Sequence, residues 1–275
     1  MRKYLKALVR ADGEGLFGRA MSAGFWAAGL RLTLRLLIIV RTVILARLLS
    51  PDDFGLMAIA TISILLLERF TESGFDSALV QKEDDINPYL DSAWTVSIVR
   101  GLAMAGILAV TAPLIARFFG AAEATEIIRV MALAVAIRGF ANIGAVYFVK
   151  DLQFDKFFWL QISDKGTDVL VSIGIAIMWP SVWALVFGVL IGSTMRTIVS
   201  YLIHTYRPRL RWEWERIKEL FHFGKWVLGQ NVLAYVASNI DDILVGRLLG
   251  VNALGLYRMA YNFSQAMATE ITQVT

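Results

Sequence analysis

Apolar stretches long enough to cross a membrane recur along the whole chain, and they limit what it can fold into. Each runs for about 20 residues, the length that an α-helix needs to cross roughly 30 Å of hydrocarbon. Hydrophobic residues make up 57% of the sequence, and the mean hydropathy is +0.60. Both values are high for a soluble domain. The sequence therefore predicts an all-α fold, a polytopic membrane helix bundle.

Helix-breaking residues divide these stretches into eight expected spans. Pro51, Pro88, Pro180 and Pro208 fall in or beside loops, whereas Pro113 lies inside a span, where we expect a kink. The expected spans are Phe25–Leu49, Phe54–Phe70 with a continuation through Val80, Ala93–Phe119, Glu126–Val149, Phe157–Trp179, Val182–Thr205, Phe223–Leu249 and a last helix that begins near Leu254.

The chain contains an internal repeat with an offset of 200 positions. WAAGLRLTLRLLIIVRTVILARLLSPDDFGLM begins at Trp26, and WVLGQNVLAYVASNIDDILVGRLLGVNALGLY begins at Trp226. Such self-similarity is typical of transporters built from repeated bundles. We therefore expect a six-helix N-terminal lobe at 1–205, a linker at 206–222 and, at 223–275, the first one to two helices of a second, incomplete lobe related to the first as a parallel repeat.

Lysine and arginine occur in alternate loops, which predicts the orientation. They occur before the first span, at Lys82, at Lys150 and Lys156, and throughout the linker, whereas the opposite loops contain none. The positive-inside rule then places the N-terminus and the linker in the cytoplasm. Residues 1–20 form either a basic amphipathic helix on the membrane surface or a disordered tail, and they lack the features of a cleavable signal.

Composition argues against several classes of function. The chain has no cysteine, and His204 and His222 are its only histidines, so we expect no disulfide, no metal site and no cofactor. The net charge of +4 comes from short loops between apolar helices, which does not favour nucleic acid as a partner. No outer loop is long enough to present the catalytic groups of a glycosyltransferase or polymerase, so we do not expect an enzyme.

Charged residues inside the spans carry the functional signal, because a charge at mid-bilayer costs about 2.5–3.5 kcal/mol. At a rise of about 1.5 Å per residue, five of them lie roughly 9–12 Å from the cytoplasmic boundary. A common depth suggests a shared, water-filled cavity. These five residues are Arg31, Glu68, Arg100, Arg138 and Asp164.

Arginine is suited to phosphate because its planar fork forms paired, charge-assisted hydrogen bonds. The candidate pyrophosphate-binding residues are Arg31, Arg35, Arg41 and Arg100. The candidates for ion coupling or charge balance are Glu68, Asp164, Asp168, Asp241 and Asp242. The repeat pairs Arg41 with Asp241, which suggests a closing contact between the lobes.

A simpler interpretation remains open for some of these charges. Arginines near helix ends can extend to the headgroups and leave a dry bundle. Arg138 and Lys165 can equally be structural partners of opposite charges. Gly188 and Gly192 form a GxxxG pair that close helix packing explains.

Two segments carry a family resemblance. ARLLSPDDFGLMAIA (46–60) with ERFTESGFDSALVQ (68–81), and FGKWVLGQNVLAYVASNIDDILVGRLLGVNALGLYRMAYNFSQ (223–265), resemble bacterial polysaccharide flippases. These are the O-antigen and exopolysaccharide exporters of the multidrug/oligosaccharidyl-lipid/polysaccharide superfamily, and the colanic-acid exporters are especially similar. Family members have twelve or more spans, so a chain that stops in its eighth resembles a truncated member.

The resemblance implies a two-lobed, V-shaped transporter of the cell inner membrane that works by alternating access. Its expected substrate is an undecaprenyl-pyrophosphate-linked oligosaccharide, moved to the periplasmic leaflet for the synthesis of lipopolysaccharide or exopolysaccharide. It also implies that Arg31, Arg35 and Arg41, matched by helix, meet the pyrophosphate. Membrane lipids and the polysaccharide polymerase and export machinery are the other expected partners. The alternatives are an ion-coupled multidrug extruder of the same superfamily and a non-transporting scaffold in envelope assembly.

Overall fold

The computed structural model describes residues 16–71, 79–80, 85–215, 235, 237 and 239–272. Within these ranges the chain is helical, with turns and no strand, which confirms the all-α helix bundle. A 3₁₀ turn, Ile143–Ala145, and a short helix, Val146–Lys150, lie between α4 and α5. The longer helices are α1 Leu16–Leu48, α2 Pro51–Thr71, α3 Asn87–Phe119, α4 Ala124–Gly139, α5 Phe154–Met178, α6 Val182–Ile203, α7 at 239–248 and α8 Gly250–Thr272.

Three of the described helices, α2, α3 and α6, are long and apolar enough to cross a membrane. A fourth span exists if α4 and the segment Ile143–Lys150, which are bent by 73° relative to each other, count as one. Every 18-residue window of α5 contains Asp164, Lys165 and Asp168, so its charges have to be satisfied inside the bundle. The chain is a multi-pass membrane protein, and its division into two lobes stays a prediction.

The expected fourth span, Glu126–Val149, is wrong as one continuous helix. It breaks after Gly139, and Asn142 satisfies backbone groups at the break. The Asn142 side chain accepts a hydrogen bond from the Gly144 N–H at 2.9 Å. The backbone N–H of Asn142 donates to Ser200 Oγ at 2.9 Å. A break inside a membrane bundle is stable only where neighbouring groups supply such partners.

Other helix starts also differ from the expected positions: α1 begins at Leu16 rather than Phe25, and α2 and α5 each begin three residues early, at Pro51 and Phe154. The third span begins at Asn87 rather than Ala93, because Pro88 lies in the first turn, where its missing N–H costs no hydrogen bond. The last helix begins at Gly250 rather than Leu254. Pro113 lies within α3, which runs without a break to Phe119. Several expectations fall in residues 1–15, 72–78, 81–84 and 216–234, which lie outside the described ranges. They are the amphipathic N-terminus, most of the continuation of the second span, the loop with Lys82, the second half of the linker and the start of the seventh span.

The apolar core lies among α2, α3, α4 and α6. Ile59, Met104, Ile128 and Val186, one from each of these helices, are almost completely buried in it. Helix α1 is peripheral and packs mainly along α5, where Leu45 is buried in a separate cluster. Helix α5 in turn packs along α6, so α5 connects α1 to the rest of the bundle.

Helices α2 and α8 approach each other through repeat-equivalent glycines. A Cβ on Gly55 would overlap the backbone carbonyl of Val251, and a Cβ on Gly255 would overlap that of Pro51. The offset of 200 equates Gly55 with Gly255 and Pro51 with Val251. The contact is therefore reciprocal, as expected where a pseudo-two-fold axis passes between two copies of one element. It lies at the end of the bundle that holds Ser50, Gly120 and Pro180, called here the turn end; the opposite end, which holds residues 204–215, is the linker end.

One carboxylate at the turn end caps two helices. Ser50 and Asp53 form a reciprocal cap on α2: the Ser50 N–H donates to Asp53 Oδ2 at 2.9 Å, and the Asp53 N–H donates to Ser50 Oγ at 3.3 Å. Asp53 Oδ1 also accepts from the Val182 N–H at 2.8 Å, the first residue of α6. Asp53 thus holds the starts of α2 and α6 together.

Replacing Asp53 by alanine should lower the stability of the bundle, because two helix starts lose their acceptor at once. Loss of a single cap costs about 0.5–2 kcal/mol. Asp52→Ala is the matched control, since Asp52 is exposed on the same turn. Thermal unfolding in detergent should show a clearly larger decrease in Tm for Asp53→Ala. Equal decreases for both variants would contradict the double cap.

Candidate functional site

A cavity of about 380 Å³ lies among α2, α3, α4, α5 and α6 at the linker end of the bundle. Among the described residues, four charged side chains from four different helices line it, together with Ser97, Asn142, Ser200 and a mainly apolar remainder. Three of the four are arginines, so the lining has a net positive formal charge. The four charged residues are Glu68, Arg100, Arg138 and Arg196.

Two glycines bring the arginines of α3 and α4 to the same cavity. A Cβ on Gly139 would lie 2.9 Å from the carbonyl oxygen of Ser97, and a Cβ on Gly101 would lie 3.2 Å from the Cα of Gly139. The backbones of α3 and α4 therefore meet almost directly. Arg100 and Arg138 each precede one of these glycines in the sequence, so both side chains leave the helices beside this crossing.

Arg138 is oriented by two neighbours. Its Nε donates a hydrogen bond to Ser193 Oγ at 3.0 Å, and its Nη1 lies 3.8 Å from Glu68 Oε1. Arg100 Nη1 donates to the carbonyl of Thr71, the last residue of α2, at 3.4 Å. A guanidinium has five N–H donors, and these bonds to described residues use only some of them. Both arginines can therefore hold an anion without losing their present contacts.

The third arginine, Arg196, connects the cavity to a buried carboxylate of α5. Its Nη1 lies 3.7 Å from Asp164 Oδ2 and donates to Gln161 Oε1 at 3.4 Å. Lys165 Nζ also lies 3.6 Å from Asp164 Oδ2. Asp164 is only 3% exposed, and a carboxylate buried to that extent is stable in its charged form only beside cations or hydrogen-bond donors.

The GxxxG pair of α6 faces the two buried carboxylates of α5. A Cβ on Gly188 would overlap Ser172 Oγ and the Asp168 carboxylate, and a Cβ on Gly192 would lie 2.7 Å from the carbonyl oxygen of Asp164. The predicted close helix packing is confirmed. The structure adds that the space left by these glycines is where Asp164 and Asp168 are buried.

Arg41 of α1 pairs with Asp168 of α5. Arg41 Nη2 lies 2.9 Å from Asp168 Oδ1, which also accepts a hydrogen bond from Ser172 Oγ at 3.0 Å. The expected contact between Arg41 and Asp241 is therefore wrong. The repeat pattern identified two charges at equivalent positions, but α1 packs on α5, and the carboxylate of α5 is the one within reach.

The two carboxylates of α7 have partners of their own. The Tyr257 hydroxyl donates to Asp241 Oδ2, and Arg258 Nη2 lies 2.6 Å from Asp242 Oδ2. Both partners lie on α8. These contacts join the two described helices of the repeat's second copy. Arg258 is a cationic partner for Asp242, whereas the partner of Asp241 is a neutral hydroxyl.

Arg31 and Arg35 are not among the described residues that line the cavity. Arg31 is exposed on α1, and Arg35 is half-buried. The expectation that Arg31 shares a cavity with Glu68, Arg100 and Arg138 is wrong, because α1 lies at the periphery of the bundle, along α5. Asp164, the fifth residue expected there, does not line the cavity either, whereas Glu68, Arg100 and Arg138 do. The depth of a residue along a helix does not determine which way its side chain faces.

Sequence reasoning missed Arg196 and assigned Arg138 no ligand role. Arg196 is the only arginine, lysine, aspartate or glutamate of α6, and a single charge in an otherwise apolar span was a usable signal. Arg138 was interpreted as a structural partner of an opposite charge. The distance of 3.8 Å from Arg138 to Glu68 supports that interpretation. Arg138 also lines the cavity, so it can contact a ligand as well.

Residues 44–275 match a family described as "Polysaccharide biosynthesis protein". The chain belongs to that family. Relatives of known name cover most of the chain. The chain is 26% identical over 222 residues to the succinoglycan biosynthesis transport protein of Rhizobium meliloti (strain 1021). This alignment covers 80% of the chain and 45% of the relative. No solved structure matches the chain.

Two further relatives act in the synthesis of other surface polysaccharides, by their names. The chain is 21% identical over 246 residues to a lipopolysaccharide biosynthesis protein of Escherichia coli (strain K12), covering 89% of the chain and 50% of the relative. It is 26% identical over 246 residues to a teichuronic acid biosynthesis protein of Bacillus subtilis (strain 168), covering 88% and 50%. The chain thus spans about half the length of these polysaccharide biosynthesis proteins.

Replacing Gly188 by alanine should destabilise the protein, because the added methyl group would separate α6 from the Asp168 and Ser172 side chains. Overpacking of this kind costs about 1–3 kcal/mol. Gly174→Ala on α5 is the matched control, since its Cβ would meet nothing within 4 Å. Thermal unfolding in detergent measures both. Unchanged stability in Gly188→Ala would show that the interface tolerates a wider spacing than the structure has.

Proposed function

We propose that this chain is part of a flippase that moves an undecaprenyl-pyrophosphate-linked oligosaccharide across the cytoplasmic membrane for surface polysaccharide synthesis. The observation that carries the proposal is the arginine-lined cavity inside the membrane bundle of a protein of a polysaccharide biosynthesis family. The transport named for the succinoglycan relative supports the class of activity. The N-terminus and the linker are proposed to face the cytoplasm, on the positive-inside pattern.

The pyrophosphate is proposed to bind to Arg100, Arg138 and Arg196. A diphosphate group presents several anionic oxygens, and hydrogen bonds between charged groups contribute about 1.5–3 kcal/mol each. The cavity volume of about 380 Å³ lies at the small end of ligand pockets, which measure about 300–1,000 Å³. It suits the phosphate head, while the oligosaccharide and the polyprenyl chain would extend beyond it.

The other candidate residues take different proposed roles. Arg41 anchors α1 to α5 through Asp168 rather than binding substrate. Glu68, Asp164 and Asp168 balance arginines and set the charge of the cavity region. Arg31 is exposed on α1, so it is available to an anion only outside the cavity, on the approach to it.

Alternating access is proposed to depend on the contact between α2 and α8. The reciprocal glycine packing closes the turn end, whereas the cavity lies at the linker end. A substrate released at the turn end requires this contact to separate. Because Gly55 and Gly255 have no side chains, no side chains of theirs interdigitate at this contact and have to be withdrawn when α2 and α8 separate.

Substitution of Arg138 by glutamine should abolish most of the transport activity. In a strain lacking the gene, wild-type protein should clear the lipid-linked repeat units, and Arg138→Gln should leave them at least about tenfold more abundant, since one charge-assisted hydrogen bond is worth more than about 1.4 kcal/mol. Arg129→Gln is the matched control, because Arg129 is exposed on the same helix and pairs only locally, with Glu126 at 2.7 Å. Full clearance by Arg138→Gln at normal protein levels would remove Arg138 from the mechanism.

Separation of α2 and α8 can be followed with a thiol at Leu254, which is completely buried beside their contact. The chain has no cysteine, so Leu254→Cys introduces a single reactive group. Labelling by a membrane-impermeant maleimide from outside should be slow without substrate and faster during transport. Asn252→Cys, exposed on the same turn, should react rapidly in both conditions. Slow labelling of Leu254→Cys throughout active transport would contradict separation at this contact.

A further inference from the structure

The segment that follows α6, residues 204–215, is held across the linker end of the bundle and is called here the strap. The Tyr206 hydroxyl donates to Asp91 Oδ1 at 2.6 Å, and the Arg209 N–H donates to the same oxygen at 2.9 Å. The Arg211 N–H donates to Thr95 Oγ1 at 3.0 Å. Asp91 and Thr95 lie one turn apart on α3, so the strap follows one face of that helix.

A second set of contacts holds the start of the strap. Asn142 Nδ2 donates to the Tyr206 carbonyl at 2.8 Å. The His204 ring stacks on Tyr147, with centroids 5.8 Å apart and an interplanar angle of 3°, and it lies where a Cβ on Gly144 would be. Burial of the imidazole, together with nearby Lys156 and Arg207, lowers the pKa of His204. The lowered pKa favours the neutral imidazole, which is the form that packs against Tyr147 without burying a charge.

Although the strap is fixed, its large apolar side chains are exposed. Leu210 is 73% exposed, Trp212 53% and Trp214 62%. They alternate with charged residues in the sequence Arg-Leu-Arg-Trp-Glu-Trp-Glu from 209 to 215. The two indoles stack on each other, with centroids 6.5 Å apart and an interplanar angle of 20°. The stacked indoles therefore lie on one side of the strap, and Leu210 continues the same sequence alternation; these three residues are called here its apolar edge.

The position of the strap identifies the environment that suits this edge. Helix α6 is apolar and of membrane-spanning length, and it ends at Ile203, so the strap begins where a span leaves the hydrocarbon. Indoles concentrate at headgroup depth, where an apolar ring and a polar N–H are both accommodated. The arginines at 207, 209 and 211 are also exposed, and guanidinium groups bind lipid phosphates.

We propose that the strap is an interfacial lipid-binding element: Leu210, Trp212 and Trp214 insert among the headgroups at the linker end, and the exposed arginines bind anionic phospholipids there. The hydrogen bonds to α3 hold the backbone so that the apolar edge faces away from the bundle. The strap then fixes the linker between the two proposed lobes to the membrane surface. This binding does not depend on what the protein transports.

Single cysteines test the proposal directly, because the chain has none. Leu210→Cys and Trp214→Cys place a polarity-sensitive fluorophore on the apolar edge, and Thr205→Cys and Glu215→Cys are the matched controls at exposed polar positions of the strap. Each labelled protein is placed in nanodiscs of phosphatidylglycerol, in nanodiscs of phosphatidylcholine, and in detergent. Quenching by iodide reports exposure to water, and quenching by nitroxide-labelled phospholipid reports contact with lipid.

The proposal predicts a two-residue alternation in phosphatidylglycerol nanodiscs. Probes at 210 and 214 should show several-fold less iodide quenching and several-fold more nitroxide quenching than probes at 205 and 215. The alternation should weaken in phosphatidylcholine, and replacing both indoles by serine should abolish the protection of the probe at 210. Equal iodide quenching at all four positions in phosphatidylglycerol would overturn the proposal. Protection from iodide without nitroxide quenching would also overturn it, since a protein surface would then cover the edge.

Discussion

The pairing of carboxylates on α5 with arginines from α1 and α6 is the interaction on which the rest of this bundle depends. Asp168 holds Arg41 at 2.9 Å, and Asp164 lies 3.7 Å from Arg196. A charge at membrane depth costs several kcal/mol unless a partner and a close-packed environment compensate for it. Gly188 and Gly192 supply that environment by letting α6 approach the carboxylates directly. These pairs fix α1 on one side of α5 and α6 on the other.

The cavity follows from this arrangement. Asp164 holds Arg196 close to α5. The Gly101–Gly139 crossing places Arg100 and Arg138 beside the same cavity. Glu68 is the single carboxylate among the described residues of the lining. The excess of arginine leaves a positive space, enclosed mainly by apolar residues, in which an anion would be attracted more strongly than in water. Its proposed occupant, a lipid diphosphate, follows from that charge together with the family.

Much of this fold could be predicted from residue patterns. The apolar stretches predicted α2, α5 and α6 to within about three residues, and the GxxxG pair indicated close packing on α6. The starts of α1 and α3 were expected nine and six residues too late. The break after Gly139 could not be predicted, because it depends on partners for Asn142 that lie 58 and 64 positions later in the sequence. Local sequence contains no information about such distant hydrogen bonds.

The candidate site was predicted only in part, for a related reason. Helical rise gives an expected depth for each charge, and Glu68, Arg100 and Arg138 do line one cavity. It does not give the order of helices around the bundle, so Arg31 was assigned to a cavity that α1 does not reach. The partner of Arg41 was misassigned in the same way. Its carboxylate lies 127 positions away on α5, and only the packing of α1 on α5 selects it.

Binding of a diphosphate by the cavity arginines can be measured by titration. Wild-type protein and the Arg100→Gln/Arg138→Gln double variant, both in nanodiscs, would be titrated calorimetrically with a short-chain polyprenyl diphosphate and with the corresponding polyprenol. The account predicts that wild-type protein binds the diphosphate and not the polyprenol, and that the double variant binds the diphosphate at least about tenfold more weakly. Equal affinity of the two proteins for the diphosphate, or equal affinity of wild-type protein for both lipids, would contradict it.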